Sequence, residues 1–375
     1  MEINIYSFFS GAGFLDLGFE DENFKIAFVN EYNEKFLNVY KYSRDIMGYP
    51  IPALGYFNDD INLLFRKPNN QLLLDNITRD KKHSLVGFIG GPPCPDFSIA
   101  GKNKGIDGDN GKLTTSYKRL ILRYEPDFFL FENVKGLWNT KKHREVYEKL
   151  KCSFLRKGYV LTDKLINALE YGVPQDRERI LLFGVKYDQL STDKKNAQQI
   201  LSDNFRWGNT AYKMEQIRNT NWPMTEDFTV DNNKVIPEGI IEPLTVEYWF
   251  QNNNVENHPN SNDYFQPKSM ERFNNIQEGD VSRKSFKRLH RWRFSPTVAY
   301  GNNEVHLHPY KARRLSVAEA LAIQSLPESY VVLPDLTLSS KFKTIGNGVP
   351  YLVSKNIAHQ IHSFLEEYSN AVKEE

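Results

Sequence analysis

The first half of this chain is a relay of short apolar runs separated by helical stretches, an order that few folds accept. INIYSFF (3–9) breaks at Gly11 and Gly13, and LDLGFEDE opens a helix after it. FKIAFVN (24–30) is followed by the helical pattern EKFLNVYKYSR (34–44). LVGFI (85–89), DFFLFENV (127–134) and RILLFGV (179–185) are further strands, with the amphipathic REVYEKLKCSFLRKG (144–158) between the last two. Short apolar strands spaced by helices predict an α/β architecture with a doubly wound, mostly parallel sheet. Such sheets bind ligands beyond the carboxyl ends of their strands.

After about residue 187 the pattern changes. Residues 188–290 are rich in Asn, Asp, Gln and Pro, with stretches such as QNNNVENHPNSND, and predict a second, smaller, loop-rich and irregular domain. A helix returns in LSVAEALAIQSL (315–326), where Ser316 and Glu319 fit a capping box. GNGVPYLVSKNIAHQIHSFLEEY places turn residues before a last amphipathic helix. A chain of 375 residues is long enough for two cores. With 48 basic against 47 acidic residues it is not a uniformly basic nucleic-acid coat, although a local basic patch remains open. Two cysteines make no cysteine-based zinc site, and the absence of a signal pattern or a long apolar segment points to a reducing cytoplasm.

Candidate sites fall at the strand ends. The glycines of FFSGAGF (8–14) are either a tight strand–helix turn or a turn that lets the backbone approach a ligand. Glu31 lies just past the second strand, where a carboxylate can take both hydroxyls of a ribose, and Asp60 lies past a third. Glycine, acid and acid at successive strand ends suggest a nucleoside-bearing cofactor. In GGPPCPDFS (90–98), Cys94 sits on a turn stiffened by prolines. It is either an inert buried thiol or a nucleophile aimed into the cleft, since sulfur attacks strongly even when only a small fraction is thiolate. Cys152, inside an amphipathic helix, reads as structural.

Glu132 directly follows the apolar FFLF and is either solvated or chemically used. Arg177 and Arg179 in QDRERI stand two apart entering a strand, as surface ion pairs or as a guanidinium fork on an anion or carbonyl edge. His306 and His308 read as structural or solvent-facing. SRKSFKRLHRWRF (282–294) interleaves Arg283, Lys284, Lys287, Arg288, Arg291 and Arg293 with aromatic residues, which favours a nucleic-acid surface over a solvated helix face.

Six stretches, in this order, together resemble the DNA (cytosine-5) methyltransferases of bacterial restriction–modification systems. FFSGAGFLDLGFE resembles the cofactor loop, GGPPCPDFS the nucleophile loop, FENVKG the ENV motif and QDRERI the Q-x-R-x-R motif. RRLSVAEALAIQSLPESY and TIGNGVPYLVSKNIA resemble the two closing motifs. The resemblance implies a Rossmann-like S-adenosylmethionine-dependent methyltransferase sheet. Residues 1–186, completed by 327–375, would form the catalytic and cofactor-binding domain, and 187–326 the target-recognition domain.

It further implies that S-adenosylmethionine, giving S-adenosylhomocysteine, is held by Phe9, Gly11, Ala12, Gly13, Glu31, Tyr32, Asp60, Ile61, Pro92 and Asn347. Cys94 would add to carbon 6 of a flipped cytosine, Glu132 would hydrogen-bond ring nitrogen 3, and Arg179, backed by Arg177, would hold the base carbonyl or its phosphate. Ser98, Lys112, Arg283, Lys287, Arg288, Arg291 and Arg293 would contact double-stranded DNA. No metal and no membrane are implied, and a cognate restriction endonuclease is the expected functional partner. A tRNA cytosine-5 methyltransferase and a catalytically silent DNA-binding relative are the alternatives. Three positions depart from the family pattern: Phe14 replaces the usual second glycine of the turn, Pro95 a common Gln, and Asn110 the usual Arg, with Lys112 nearby to supply a phosphate contact.

Overall fold

The chain runs β1 (Ile3–Phe8), α1 (Phe14–Glu20), β2 (Lys25–Asn30), α2 (Glu34–Met47), β3 (Tyr56–Phe57), α3 (Asn69–Asp80), β4 (Leu85–Gly90), α4 (Asp109–Tyr124) and β5 (Phe128–Val134). α5 (Gly136–Asn139), α6 (Lys141–Arg156), β6 (Tyr159–Asn167), β7 (Gln175–Asp176) and β8 (Glu178–Lys186) follow. This computed structural model describes residues 2–93, 109–139, 141–230, 233–267, 271–283, 285–298, 300 and 305–370. Cys94 and Ser98 lie outside the described residues.

Seven strands form one sheet in the order β3-β2-β1-β4-β5-β8-β6. β1 pairs in parallel with β2 and β4, and the β2–β3 and β4–β5 pairs are also parallel. β8 is antiparallel to both β5 and β6. The segment joining β6 to β8 is too short for the crossover that a parallel pair needs, so the chain returns in the opposite sense. The amino end of β8 therefore meets the carboxyl end of β5. The predicted sheet is present, and β6 extends it beyond the runs read from the sequence.

Both faces of the sheet are covered, which explains the unbroken apolar runs. Ile5, Ile89, Phe128, Leu130, Leu181 and Phe183 pack on one face, while Phe8, Phe88, Phe129, Phe131, Ile180 and Leu182 pack on the other. The period of two along β5 sends alternate phenylalanines to opposite layers.

The remaining elements are α7 (Lys194–Asn204), α8 (Met214–Asn219), α9 (Val246–Asn252), α10 (Glu271–Asn274), β9 (Ser295–Pro296), α11 (Val317–Ile323), α12 (Leu338–Asn347) and α13 (Tyr351–Tyr368). Packing continues across the expected boundary at 187. Leu190, Ala197, Leu201 and Phe205 bury their side chains in the same cluster as Ile5 and Phe128. Before the expected boundary at 326, Val317, Ala320 and Leu321 of α11 pack with Ala12, Phe14, Leu17 and Val39. The irregular region thus shares a core with the sheet half. The expected capping box of α11 is formed, Ser316 with Glu319.

Candidate active site

β1 leaves the sheet through Phe9 (φ 55°), Gly11 (φ 58°) and Gly13 (φ 78°), so the left-handed region is used at three of five residues. For phenylalanine that region is strained, and strain of this kind gathers at functional turns. A Cβ at Gly11 would meet nothing within 4 Å, whereas one at Gly13 would lie 2.5 Å from Tyr40 Cδ2 and 3.0 Å from Arg44 Nη2. The two glycines therefore answer different demands. Gly11 keeps the outer side of the turn open, and Gly13 admits side chains of α2.

Glu31 ends β2 and accepts from Gly11 N (2.8 Å) and Asn33 N (2.7 Å), one on each carboxylate oxygen. Burial pushes its carboxyl up, against those backbone donors. Each oxygen keeps a further lone pair, so the carboxylate retains the capacity to take a vicinal diol. Tyr32, next to it, is 74% exposed. Asp60 caps a short 3-10 helix (Ile61–Phe65) by accepting from Asn62 N, and Ile61 is buried. Ala12 and Pro92 are buried, and Asn347 ends α12 in an exposed position. Open turn, diol acceptor and exposed ring together fit an adenosine.

Glu132 lies in β5 opposite Leu181, and Arg179 opposite Val134, so the two side chains meet diagonally across the antiparallel pair. Arg179 Nε donates to Glu132 Oε1 at 2.9 Å. A Cβ at Gly91 would come within 2.6 Å of Glu132 Oε2, so the carboxyl lies directly over Gly91 and a larger residue there would displace it. Burial raises the Glu132 carboxyl, with Arg179 and Arg177 opposing. A buried acid whose ionisation is disfavoured, beside a cation, is poised to donate a hydrogen bond to a base nitrogen.

The expected Arg177–Arg179 fork is not formed. Arg177, 1% exposed, donates to Val298 O (3.3 Å), Gly346 O (3.1 Å) and Gly348 O (3.0 Å). Gly346 O and Gly348 O flank Asn347 in the closing segment, so Arg177 ties that segment to the start of β8. Its neighbour in the motif, Gln175, accepts from Val298 N and donates towards Ile323 O.

The basic stretch 282–294 is corrected in part. Arg288 is buried and donates to Ile276 O (2.7 Å), Lys311 O (3.3 Å), His308 O and Phe273 O. Arg291 is buried against Glu278 through Nε–Oε1 (2.8 Å) and Nη2–Oε2 (3.0 Å) contacts. Trp292 is buried as well. Neither arginine is available to DNA. Arg283 is exposed, with Asp280 at 3.2 Å, while Lys287 and Arg293 are half-buried and Lys112 is exposed on α4. His306 and His308 are buried, as structural histidines. Among the described residues, Glu226, Glu278 and His290 are spaced like metal ligands. Lys234 and Arg291 already neutralise both carboxylates there, which removes the charge that would draw a cation.

Sequence reasoning missed Arg44 and Tyr330, which hold the turn after β1. Arg44 Nη2 donates to Gly13 O (2.6 Å) and Tyr330 Oη to Ala12 O (2.7 Å). The available signal was positional: Arg44 stands on the stripe of α2 that also carries Phe36, Leu37 and Tyr40.

This strand order, with a glycine turn after β1 and acids after β2 and β3, is a Rossmann-like methyltransferase fold. The chain belongs to the C-5 cytosine-specific DNA methylases, whose family model matches residues 3–363. It is 52% identical to the type II methyltransferase M.NmeDI of Neisseria meningitidis serogroup C, over 98% of this chain and 86% of that one. It is 29% identical to the type II methyltransferase M.MthTI of Methanothermobacter thermautotrophicus, over 99% of this chain and all of that one. A prophage-encoded DNA modification methyltransferase of E. coli shares the fold, with a TM-score of 0.64 at 22% identity over 97% of this chain and 100% of that one. The protein is therefore an enzyme that methylates carbon 5 of cytosine in DNA. No described helix is long and apolar enough to cross a membrane.

Proposed function

We propose that this enzyme takes its methyl group from S-adenosylmethionine and modifies one cytosine within a specific double-stranded sequence, as the protective half of a type II restriction–modification system. The observation that carries the chemistry is the buried Glu132–Arg179 pair at the carboxyl edge of the sheet. The 52% identity to a type II methyltransferase supports the biological setting. The cognate endonuclease would be its functional partner.

Bound in the turn, the cofactor supplies an electrophilic methyl on a sulfonium. Carbon 5 of cytosine is too weak a nucleophile to take it unaided. The Cys94 thiolate, assigned by its place in GGPPCPDFS, adds to carbon 6 and forms a C–S bond. The ring electrons this releases are stabilised through nitrogen 3 by the hydrogen bond from protonated Glu132. Arg179 balances the carboxyl and offers its remaining guanidinium donors to the base carbonyl. Carbon 5 then takes the methyl, a base removes its proton, and the C–S bond breaks to return the thiolate. Access requires the cytosine to leave the helix, at about a few kcal/mol.

The irregular region between α7 and α11 is assigned to target recognition, with Arg283, Lys287 and Arg293 as its basic contacts and Lys112 reaching a phosphate from α4. Duplex DNA carrying 5-fluorocytosine tests the mechanism, because fluorine at carbon 5 blocks the final elimination. With the donor present, the enzyme should be trapped covalently on DNA and the Cys94→Ala variant should not. An adduct on tRNA alone, with none on any duplex, would overturn the assignment.

A further inference from the structure

The turn after β1 is gripped from outside its own strand at three successive residues. Glu31 takes Gly11 N at 2.8 Å, Tyr330 Oη donates to Ala12 O at 2.7 Å, and Arg44 Nη2 donates to Gly13 O at 2.6 Å. Glu31 has the cofactor role already assigned. Arg44 lies outside the six motif-like stretches, and Tyr330, which ends RRLSVAEALAIQSLPESY, has no role assigned there.

Arg44 is 2% exposed, and its Nε also donates to Glu20 Oε2 at 2.6 Å. Its guanidinium lies over the rings of Tyr40 and Tyr49, at 4.7 Å and 5.6 Å. Asp16, fully buried nearby, accepts from Ser7 Oγ at 2.8 Å. Burying two acids and a guanidinium beneath a loop is costly, and apolar side chains of the same volume would stabilise the core at least as well. What the guanidinium adds is direction. Its plane is held by Glu20 and the two rings, which sets the direction along which Nη2 reaches Gly13 O.

Tyr330 comes from the far end of the chain. Its ring meets Phe14 edge-on, with centroids 5.1 Å apart and planes at 89°. A Cβ at Gly348 would lie 2.0 Å from Phe14 Cδ2, so Gly348 makes the room that the Phe14 ring occupies. Phe14, where the family usually has glycine, is thus turned into the seam between α1 and the closing segment, and the outer side of the turn stays clear.

We propose that Arg44 and Tyr330 are positioning residues for the methyl donor: they set the Ala12 and Gly13 carbonyls, and through them the shape of the turn that receives an adenosyl sulfonium and its thioether product. This rests on the turn being the cofactor site. Neither residue needs to touch the ligand.

The test is calorimetric titration of S-adenosylhomocysteine into the full-length enzyme, without DNA, for the parent, Tyr330→Phe and Arg44→Lys. Tyr330→Phe keeps the ring on Phe14 and removes one hydrogen bond, so its Kd should rise about three- to tenfold. Arg44→Lys keeps the charge beside Glu20 but loses the second donor, and a rise of about tenfold or more is expected. In steady-state assays both should raise KM for the donor while retaining kcat, and both should leave duplex affinity unchanged. If the parent fails to bind the thioether, the cofactor reading itself falls. If the parent binds and folded variants bind equally well, or lose kcat at unchanged KM, the positioning role is overturned. Should Arg44→Lys not fold, Tyr330→Phe alone decides.

Discussion

In the sheet half, β1, β4, β5 and β8 satisfy their backbone groups in the ladder, and the interior between the layers is apolar, with Phe128, Phe129, Leu130 and Phe131 all fully buried. Between α7 and α11 the helices have four to seven residues and the one named strand has two. Among the described residues, pairing there is limited to isolated bridges and the short β7–β9 pair, and buried guanidinium groups take several of the remaining carbonyls. Arg288 serves four carbonyls from two segments, 273–276 and 308–311. Burial raises the Glu319 carboxyl, but His308 and Arg313 outweigh it and hold the group well below the usual carboxylate range. At the seam, Arg177 does the same work for the carbonyls around Asn347. An irregular backbone must still pair its polar groups, and arginine, with five donors and no acceptor, is the side chain best suited to collecting stray carbonyls.

The contrast can be broken at several points. The largest effect belongs to the sheet edge. Glu132→Gln keeps a donor but cannot move a proton, so kcat should fall by about 10²- to 10⁴-fold while duplex affinity holds. A variant with parental kcat would remove Glu132 from the chemistry. Next in size, Arg288→Met should destabilise the protein by about 3–5 kcal/mol in denaturant melts, by orphaning buried carbonyls. Leu130→Ala in the sheet core should cost about 2–5 kcal/mol by opening a cavity. Arg288→Met protein that melts like the parent yet binds DNA weakly would return Arg288 to the DNA surface.

A smaller effect concerns the acids beneath the cofactor turn. Burial raises the Asp16 carboxyl to about 6, with Arg44, Ser7 and Tyr40 opposing. The folded state then holds a proton that the unfolded chain, near 3.8, has lost. Asp16 therefore adds stability below about pH 4 that is lost as pH rises through about 6. Asp16→Asn should flatten the fall in Tm across that window, by the equivalent of about 2–3 kcal/mol. An unchanged slope would show that Asp16 does not titrate there. Smallest in stability, Arg283→Ala and Lys287→Ala should each stay within about 0.5 kcal/mol of the parent but lower the salt slope of DNA binding by about one. A slope that neither variant alters would take the pair out of the phosphate contacts.

The strand positions, the glycine turn, Glu31 and Glu132 could all be read in the sequence, because each depends on local pattern. An unbroken apolar run reports a two-sided burial, and an acid after such a run is conspicuous. The basic stretch misled because charge in sequence says nothing about what lies opposite. Arg283 and Arg288 look alike in SRKSFKRLHRWRF, yet one faces solvent and the other a cage of carbonyls drawn from residues 273, 276, 308 and 311.

By itself, then, the sequence determined the layered sheet, the order of its strand-end residues and the family chemistry those residues imply, since hydrophobic period and motif spacing are properties of neighbours along the chain. Only the tertiary structure decided which arginines are buried, which side chains of the irregular region pack with the sheet half, and how Phe14 stands at a position where glycine is usual. Each of those depends on contacts across long sequence separation: Arg44 to Gly13, Tyr330 to Ala12, Gly348 to Phe14. A guanidinium is expelled to water or held inside according to the carbonyls that folding brings to it, and no local pattern records their arrival.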